Sequence, residues 1–172
     1  MTTGDSLAEL TALLHEAYRA LAERGMRFVA SHQDEQTTAR RVAKGECYLA
    51  FHESQLVGTI TLDHAALSRG CPWYERPEVA SFHQLAVRPR LQRHGIGSAL
   101  LAHVERRAGE QGVKELALDT AEPAEDLIRF YTSRGYRFID YVKWNAVNYR
   151  SVILSKSLEG IERSRAARDS TP

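Results

Sequence analysis

The stretch from Leu85 to Leu101, with the sequence LAVRPRLQRHGIGSALL, constrains the fold of this chain more than any other. Its first residues are typical of a strand, Pro89 marks a bend, Gly95 and Gly97 interrupt a loop, and the apolar spacing that follows predicts a helix. A loop of this kind offers unpaired backbone N–H groups where the helix dipole is positive. The stretch therefore predicts a binding site for a phosphate or pyrophosphate.

Length and charge limit the classes of function. The 172 residues predict one domain, residues 1–158, followed by a polar tail, residues 159–172. The formal net charge of +1 gives no electrostatic case for a nucleic acid or a membrane as the main partner. The clustered basic residues lie in the opening stretch and indicate a small anionic ligand: Arg88, Arg90, Arg93 and His94.

The two cysteines and the N-terminus bear on the compartment. Cys47 and Cys71 lie far apart and outside any metal-ligand spacing, so we expect no metal, and free thiols suit a reducing compartment although the two could pair. No signal-peptide pattern and no apolar run of membrane-spanning length is present. We therefore expect a cytoplasmic protein.

Hydrophobic periodicity predicts the order of the elements. Helices are predicted over residues 5–23, 34–43, 98–111 and 123–134, and strands over residues 46–52, 56–63, 78–87, 114–119, 136–144 and 147–158. Asp5 or Ser6 caps the first helix, and Gly58 marks a bulge or a close backbone approach. This order predicts an α/β fold with a single mixed sheet and helices on both faces.

Two common phosphate loops do not fit the opening stretch. A P-loop would need G-x-x-x-x-G-K followed by Ser or Thr, and the chain has no such run. A dinucleotide fingerprint would use Gly95, Gly97 and the later Asp119, but Leu100 occupies the position of its third glycine. Seven residues also separate Val87 from Gly95, where that fingerprint follows its strand directly.

The stretch instead resembles motif A of the GCN5-related N-acetyltransferases (GNAT). The family pattern is Q/R-x-x-G-x-G/A, which matches residues 92–97, QRHGIG. Residues 127–136, LIRFYTSRGY, are similar to a second landmark of the family, the helix-to-strand segment A-x-x-x-Y-x-x-x-G-F/Y. Two features depart from the family: Ala124 replaces its usual Asn, and residues 1–4 leave little room for its first strand, which is either missing or cut short.

This resemblance implies a GNAT-like acyl-CoA N-acyltransferase fold with acetyl-CoA as co-substrate. It implies that the pyrophosphate accepts hydrogen bonds from the backbone of residues 93–98, that the strand of residues 85–87 splays from residues 116–119, and that the pantetheine arm pairs with the freed edge. The side chains of Arg88, Arg90 and Arg93 either add charge at the phosphates or are merely solvated. The residues expected at the coenzyme are Leu85, Ala86, Val87, Gln92, Arg93, His94, Gly95, Ile96, Gly97, Ser98 and Tyr131.

The resemblance also implies roles in acetyl transfer. Tyr131 falls where the family carries the tyrosine that protonates the coenzyme thiolate, and a tyrosine with its usual pKa near 10 can donate to that sulfur; packing under the sheet is the alternative. The general base is His83, acting directly or through water, or else Glu78, and attack without a dedicated base stays open. Ser81 cannot serve as a base unaided.

The acceptor pocket of this fold would lie among residues 26–33, 68–77 and 143–150. We expect a small or amino-acid-like primary amine, acetylated directly in a ternary complex by a monomer or homodimer. The alternatives are a catalytically silent coenzyme-A-binding module that regulates a partner, or a protein N-acetyltransferase. The residues expected at the acceptor are Trp73, Tyr74, Glu75, Trp144 and Tyr149.

Overall fold

One mixed sheet forms the centre of the protein, whose computed structural model describes residues 6–63 and 70–159. Its strands are β1 (Gly45–His52), β2 (Gln55–Asp63), β3 (Val79–Val87), β4 (Glu115–Ala121), β5 (Arg137–Val142) and β6 (Ser151–Ser157). The helices are α1 (Leu7–Glu23), α2 (Glu35–Val42), α3 (Ile96–Glu110) and α4 (Glu125–Thr132). The strand order is β1-β2-β3-β4-β6-β5, and β3 and β4 run parallel while the other neighbouring strands run antiparallel.

Local side-chain hydrogen bonds define where the first two helices begin. The Ser6 hydroxyl accepts a hydrogen bond of 3.1 Å from the backbone N–H of Glu9 at the start of α1. The Asp34 carboxylate does the same for the N–H of Thr37 at the start of α2, at 2.7 Å. Each cap satisfies one of the amides that a helix leaves unpaired. Ser6 therefore fills the predicted capping role, and Asp5 lies outside the described residues.

The helices cover both faces of the sheet, as the sequence predicted. On β4, Leu116 and Leu118 pack with α3 and α4, while Ala117 between them faces the opposite side. On that opposite side, α1 inserts three leucines that are at most 1% exposed: Leu10, Leu13 and Leu14. Burying each leucine contributes roughly 1.5–3 kcal/mol to folding.

Gly58 on β2 allows α3 to approach the sheet closely. A Cβ built there would lie 3.1 Å from the carbonyl oxygen of Ala86, 3.1 Å from Leu100 Cδ1 and 3.3 Å from Ile96 Cγ2. The β1–β2 register also shifts beside Gly58, between Ala50 and its neighbour along β1. The predicted close approach is confirmed, and it places the first turn of α3 directly on β2.

The sheet opens between its two parallel strands. β3 pairs with β4 at Val79, Ala80 and Ser81, and their pairing ends there. Three residues further along β3, Gln84 has a φ of +57°, and the register between β2 and β3 shifts in the same region. The second half of β3 is therefore free of β4, as the family resemblance implies, and a cavity lies at this opening.

Several boundaries differ from those predicted. α3 begins at Ile96, two residues early, and α4 begins after Ala124 rather than at residue 123. The last two strands are joined by residues 143–150 rather than by a tight turn. The residues of that loop form hydrogen bonds with other parts of the protein and therefore do not form a tight turn. Trp144 donates to Asp119 at 2.9 Å, and the Asn148 side chain forms hydrogen bonds with the backbone of residues 25 and 27. The predictions for residues 1–5, for residues 64–69 and for residues 160–172 of the tail lie outside the described residues.

Cys47 and Cys71 are buried, at 6% and 4% exposed, and they form no disulfide with each other. In residues 6–63 and 70–159, no helix is both long and apolar enough to cross a membrane. Over the same residues, His, Cys, Asp and Glu side chains nowhere form a group of three that could hold a metal ion.

Candidate active site

A cavity of about 430 Å³ lies where β3 leaves β4. Its walls come from α1, α2, the ends of β2 and β4, the free half of β3, α4 and the loop of residues 143–150. One end reaches Gln92, at the start of the phosphate-binding loop. The other end is lined by ionisable and aromatic side chains. The cavity thus joins a predicted anion site to a predicted acceptor site.

The loop between β3 and α3 presents a row of backbone donors. Arg93 and Gly95 have φ angles of +65° and +86°, which turn the chain sharply ahead of α3. Among the residues that the structure describes, the backbone N–H groups of residues 93–98 donate to no acceptor. They lie at the N-terminus of a 15-residue helix, where the helix dipole favours an anion. The geometry fits a phosphate or pyrophosphate.

Side chains around this loop mostly stabilise its shape. Gln92 donates to the carbonyl of Val87 at 3.1 Å, and His94 bonds the carbonyl of Gln92 at 2.8 Å. The Ser98 hydroxyl accepts from Arg134 at 2.8 Å, which ties α3 to the end of α4. Gly97 leaves space above the loop, since a Cβ there would meet only Val87, at 3.6 Å.

Two of the clustered arginines form hydrogen bonds with other groups of the protein. Arg88 donates to Glu16 of α1 at 2.6 Å and to the carbonyl of Leu56 at 2.7 Å. Arg90 donates to Gln55 at 2.7 Å. Both therefore anchor the loop to its neighbours, whereas Arg93 is exposed.

Tyr131 on α4 lies in the cavity wall and is 7% exposed. Its ring packs against Phe82 at 6.0 Å and Tyr136 at 5.8 Å between centroids. Burial raises the pKa of Tyr131 well above its usual value of 10, whereas the sequence reasoning assumed an unshifted tyrosine. The hydroxyl is consequently fully protonated at neutral pH and can act as a hydrogen-bond donor.

The free half of β3 also lines the cavity, with Leu85, Ala86 and Val87. The Tyr18 hydroxyl donates to the carbonyl of Leu85 at 3.1 Å, and burial raises the pKa of Tyr18 to about 12. This contact fixes α1 against the bulged part of β3. The sequence analysis did not single out Tyr18, which had the pattern of an ordinary buried helix residue.

His83 forms a pair with Asp63, and both residues line the cavity. Its Nε2 lies 3.0 Å from an Asp63 carboxylate oxygen, and the two side chains are 19% and 11% exposed. Nδ1 of His83 is buried without a hydrogen-bond partner. Burial lowers the pKa of His83 below its usual 6.5, and the bond to Asp63 opposes that change. The imidazole is therefore neutral at pH 7, as a general base must be.

Three further charged residues line the cavity, and the sequence analysis did not predict them as site residues: Arg41, Lys44 and Asp119. Asp119 is open to the cavity, and the surrounding protein raises its pKa, while hydrogen bonds such as that from Trp144 oppose the rise. Asp63 and Asp119 each lie near the end of a buried strand, and this position in the sequence could have predicted them as site residues. No such pattern marks Arg41, because a lone arginine near a helix end is usually solvated.

The expected aromatic wall is partly assembled. Tyr74, Trp144 and Tyr149 line the cavity, and the rings of Tyr74 and Trp144 are nearly parallel, with centroids 6.4 Å apart. Phe28, which the sequence analysis did not single out, packs against Tyr149 at 4.9 Å and also lines the cavity.

Three predicted residues lie away from the cavity: Trp73, Glu75 and Glu78. Glu78 forms an ion pair with Arg76 at 2.6 Å, and the Arg76 guanidinium lies 4.5 Å from the centre of the Trp73 ring. Glu75 is exposed and accepts a hydrogen bond from Gly70. All three precede β3 at its paired end, whereas the cavity opens where β3 and β4 separate.

Comparison with known proteins agrees with this architecture. The family model described as the acetyltransferase (GNAT) family matches residues 7–136. The S-(2-succino)cysteine N-acetyltransferase of Bacillus subtilis (strain 168) is 30% identical over 137 residues, which cover 77% of this chain and 77% of that protein.

Solved structures give the same fold at lower identity. The ribosomal-protein-S18-alanine N-acetyltransferase from Escherichia coli has a TM-score of 0.68 at 19% identity, covering 92% of this chain and 90% of that one. A GNAT family acetyltransferase from Elizabethkingia anophelis with acetyl-CoA bound has a TM-score of 0.65 at 19% identity, covering 91% and 94%.

Proposed function

Because the chain belongs to the GNAT family of acetyltransferases, we propose that it transfers the acetyl group of acetyl-CoA to the primary amine of a small, amino-acid-like acceptor. The observation that carries this proposal is the cavity at the β3–β4 opening. It reaches Gln92 at the start of the phosphate-binding loop, and the His83–Asp63 pair also lines it. Two substrates can therefore meet within one cavity.

The coenzyme would occupy the end of the cavity nearest α3. Its pyrophosphate accepts hydrogen bonds from the N–H groups of residues 93–98, and Gly95 supplies the left-handed turn that aims them. The pantetheine arm pairs with the free edge of β3 at Ala86 and Val87, as an added strand would. Ile96 and Gly97 then lie beneath the phosphates, at the first turn of the helix.

Acetyl transfer at this position needs three contributions from the protein: a donor to the carbonyl, a base and an acid. The neutral amine forms a bond to the acetyl carbon, and the carbon–sulfur bond breaks. A backbone N–H near residues 85–87 polarises the carbonyl. The amine proton passes to His83, directly or through water, and Asp63 holds that imidazole in place. Tyr131 donates a proton to the departing thiolate, and the proton held by His83 returns to Tyr131 through solvent, so that both side chains regain their starting forms.

Direct transfer in a ternary complex is supported by what lines the cavity. An acetyl-enzyme intermediate on sulfur would need a thiol beside the coenzyme, and neither Cys47 nor Cys71 is among the described lining residues. Both thiols are buried elsewhere, which also supports a reducing compartment such as the cytoplasm.

A small acceptor is favoured by the size of the site. The cavity has a volume of about 430 Å³, and aromatic side chains and the loop of residues 143–150 line its acceptor end. The Bacillus subtilis relative is named for a modified amino acid, S-(2-succino)cysteine, and this supports an amino-acid-like acceptor here.

The experiment measures release of free thiol from acetyl-CoA with a panel of small amines, amino acids and short peptides. We expect thiol release with at least one small acceptor, together with one acetyl group gained by that acceptor. Turnover of peptides alone would support a protein N-acetyltransferase instead. Tight coenzyme binding without turnover of any amine would contradict the proposal and support a silent binding module.

A further inference from the structure

Arg41 is a basic side chain of the cavity that has no partner among the residues that the structure describes. Arg41 lies in the last turn of α2 and lines the cavity, and its Nε is buried without a hydrogen-bond partner. Across residues 6–63 and 70–159, the guanidinium donates no hydrogen bond and no carboxylate lies within ion-pair distance of it. Other half-buried basic side chains are paired, such as Arg88 with Glu16 and Lys156 with Glu105.

The carboxylates that share the cavity already have other partners. Asp63 bonds His83 at 3.0 Å, and Asp119 accepts from Trp144 at 2.9 Å. The charges of Asp63 and Asp119 both affect the pKa of Arg41, but Arg41 forms an ion pair with neither of them. Its positive charge is therefore available to something that enters the cavity.

A guanidinium nitrogen that is buried without a partner is costly, because burial removes water that no protein group replaces. Native structures usually explain such a group by a ligand or by ordered water. The planar fork of arginine matches a carboxylate in two parallel hydrogen bonds. Lys44 lies two residues beyond the end of α2 and also lines the cavity, which adds a second positive charge near Arg41.

The cavity wall at Arg41 belongs to the acceptor end rather than to the phosphate loop. The groups that act electrostatically on Arg41 include Tyr18, Asp63, Asp119 and Tyr149. The loop begins beyond Val87, four residues after His83, and a strand of that length spans about 13 Å. An anion at Arg41 would thus lie beside the acceptor amine.

We propose that Arg41 binds a carboxylate of the acceptor, so that the acceptor is a compound with both an amine and a carboxylate, such as an α-amino acid or its derivative. The amine faces His83 and Asp63, and the carboxylate faces Arg41 and Lys44 on the α2 wall. This assignment rests on the proposed function, since it names the acceptor of the same reaction.

The test compares two matched pairs of acceptors: L-methionine with L-methioninamide, and L-phenylalanine with L-phenylalaninamide. Calorimetry measures their binding to the protein saturated with coenzyme A, and a thiol-release assay measures their acetylation. The wild-type protein should bind a free acid roughly 10- to 100-fold more tightly than its amide, as a charge-assisted hydrogen-bonded pair allows.

Three variants assign that preference to one side chain. Arg41→Ala should bind acid and amide alike, and Arg41→Lys should keep part of the preference because the charge remains without the fork. Arg40→Ala is the matched control, since Arg40 is the neighbouring exposed residue whose guanidinium donates to Thr37. Arg40→Ala should keep the full preference. Coenzyme A affinity, measured on each variant, shows that the variant is folded.

The outcomes separate the possible failures. No preference for the acid in the wild-type protein, no binding of either acid, or a preference that survives Arg41→Ala would overturn the assignment. A selective loss of coenzyme affinity in Arg41→Ala would also overturn it and would place a coenzyme phosphate at Arg41. An acid preference that depends on Arg41 without acetylation of any amine would uphold the assignment and refute the proposed transfer.

Discussion

Among single residues, Tyr131 is the one on whose hydroxyl the proposed acetyl transfer depends most. It is buried, stays protonated because its pKa is raised, and lies in the wall of the cavity. Tyr131→Phe should lower kcat by about 100-fold, the effect typical of losing a general acid, because the thiolate then departs without a proton. Coenzyme A affinity should stay nearly unchanged, since the phosphates bind elsewhere.

Tyr136→Phe is the matched control for this prediction. Tyr136 packs 5.8 Å from Tyr131 and is 2% exposed, but it does not line the described cavity. Its loss of a hydroxyl should leave kcat unchanged. Equal turnover by wild-type protein and Tyr131→Phe would remove the acid role from Tyr131.

The pH profile of kcat/KM tests His83 as the base. Burial lowers the pKa of His83, so the imidazole stays neutral and active to a pH below its usual 6.5. The part of the activity that depends on His83 should therefore fall as the pH drops below 6.5, when His83 gains a proton. His83→Gln should lose about 100-fold in kcat/KM and also lose this acidic decline.

His52→Gln serves as the control, because His52 lies exposed at the end of β1. It should reproduce the wild-type profile. If His83→Gln retains both the rate and the acidic decline, then the amine attacks without His83, which was one of the open alternatives.

At the scale of elements, the phosphate-binding loop was predictable because its information is local. Gly95, Gly97 and the helix that follows specify the turn and the exposed amides within a few residues. The opening of β3 from β4 was not derivable from periodicity, since strand pairing depends on residues far apart in sequence. It came from the family resemblance, as did the place of Tyr131 beside the cavity.

Gly95→Ala tests whether the loop holds the coenzyme. The φ of +86° strains any L-side chain, so the variant should lose about 1–2 kcal/mol of stability, although no atom lies within 4 Å of the added Cβ. Gly112→Ala has the same strain at +76° and the same open surroundings after α3. Both should show similar losses in urea unfolding, but only Gly95→Ala should weaken coenzyme A binding. Equal coenzyme affinities would count against the loop.

Gly58→Val tests the close packing of α3 against β2. The added side chain meets the Ala86 carbonyl and two side chains of α3, so we expect a loss of about 1–3 kcal/mol in the free energy of unfolding. Gly109→Ala inside α3 meets nothing within 4 Å and should instead stabilise by about 0.5–1 kcal/mol. Urea denaturation measures both. A neutral effect of Gly58→Val would mean that α3 has room to move.

At the scale of the whole molecule, the site joins parts of the chain that no short pattern connects. Arg41 comes from α2, Asp63 from the end of β2 and Asp119 from β4, and they meet only because the sheet opens between β3 and β4. Glu75 and Glu78 show the opposite case: the sequence predicts an acceptor contact for Glu75 and a candidate base in Glu78, but both lie at the paired end of β3. Residue type suggested the chemistry, and tertiary structure decided which residues supply it.

The central claim is that acetyl-CoA and an amine meet in one cavity and that the acetyl group moves directly between them. Initial rates, measured while the concentrations of acetyl-CoA and the acceptor are both varied, test it most directly. Direct transfer in a ternary complex predicts double-reciprocal lines that intersect. Parallel lines would reveal an acetyl-enzyme intermediate and would contradict the account.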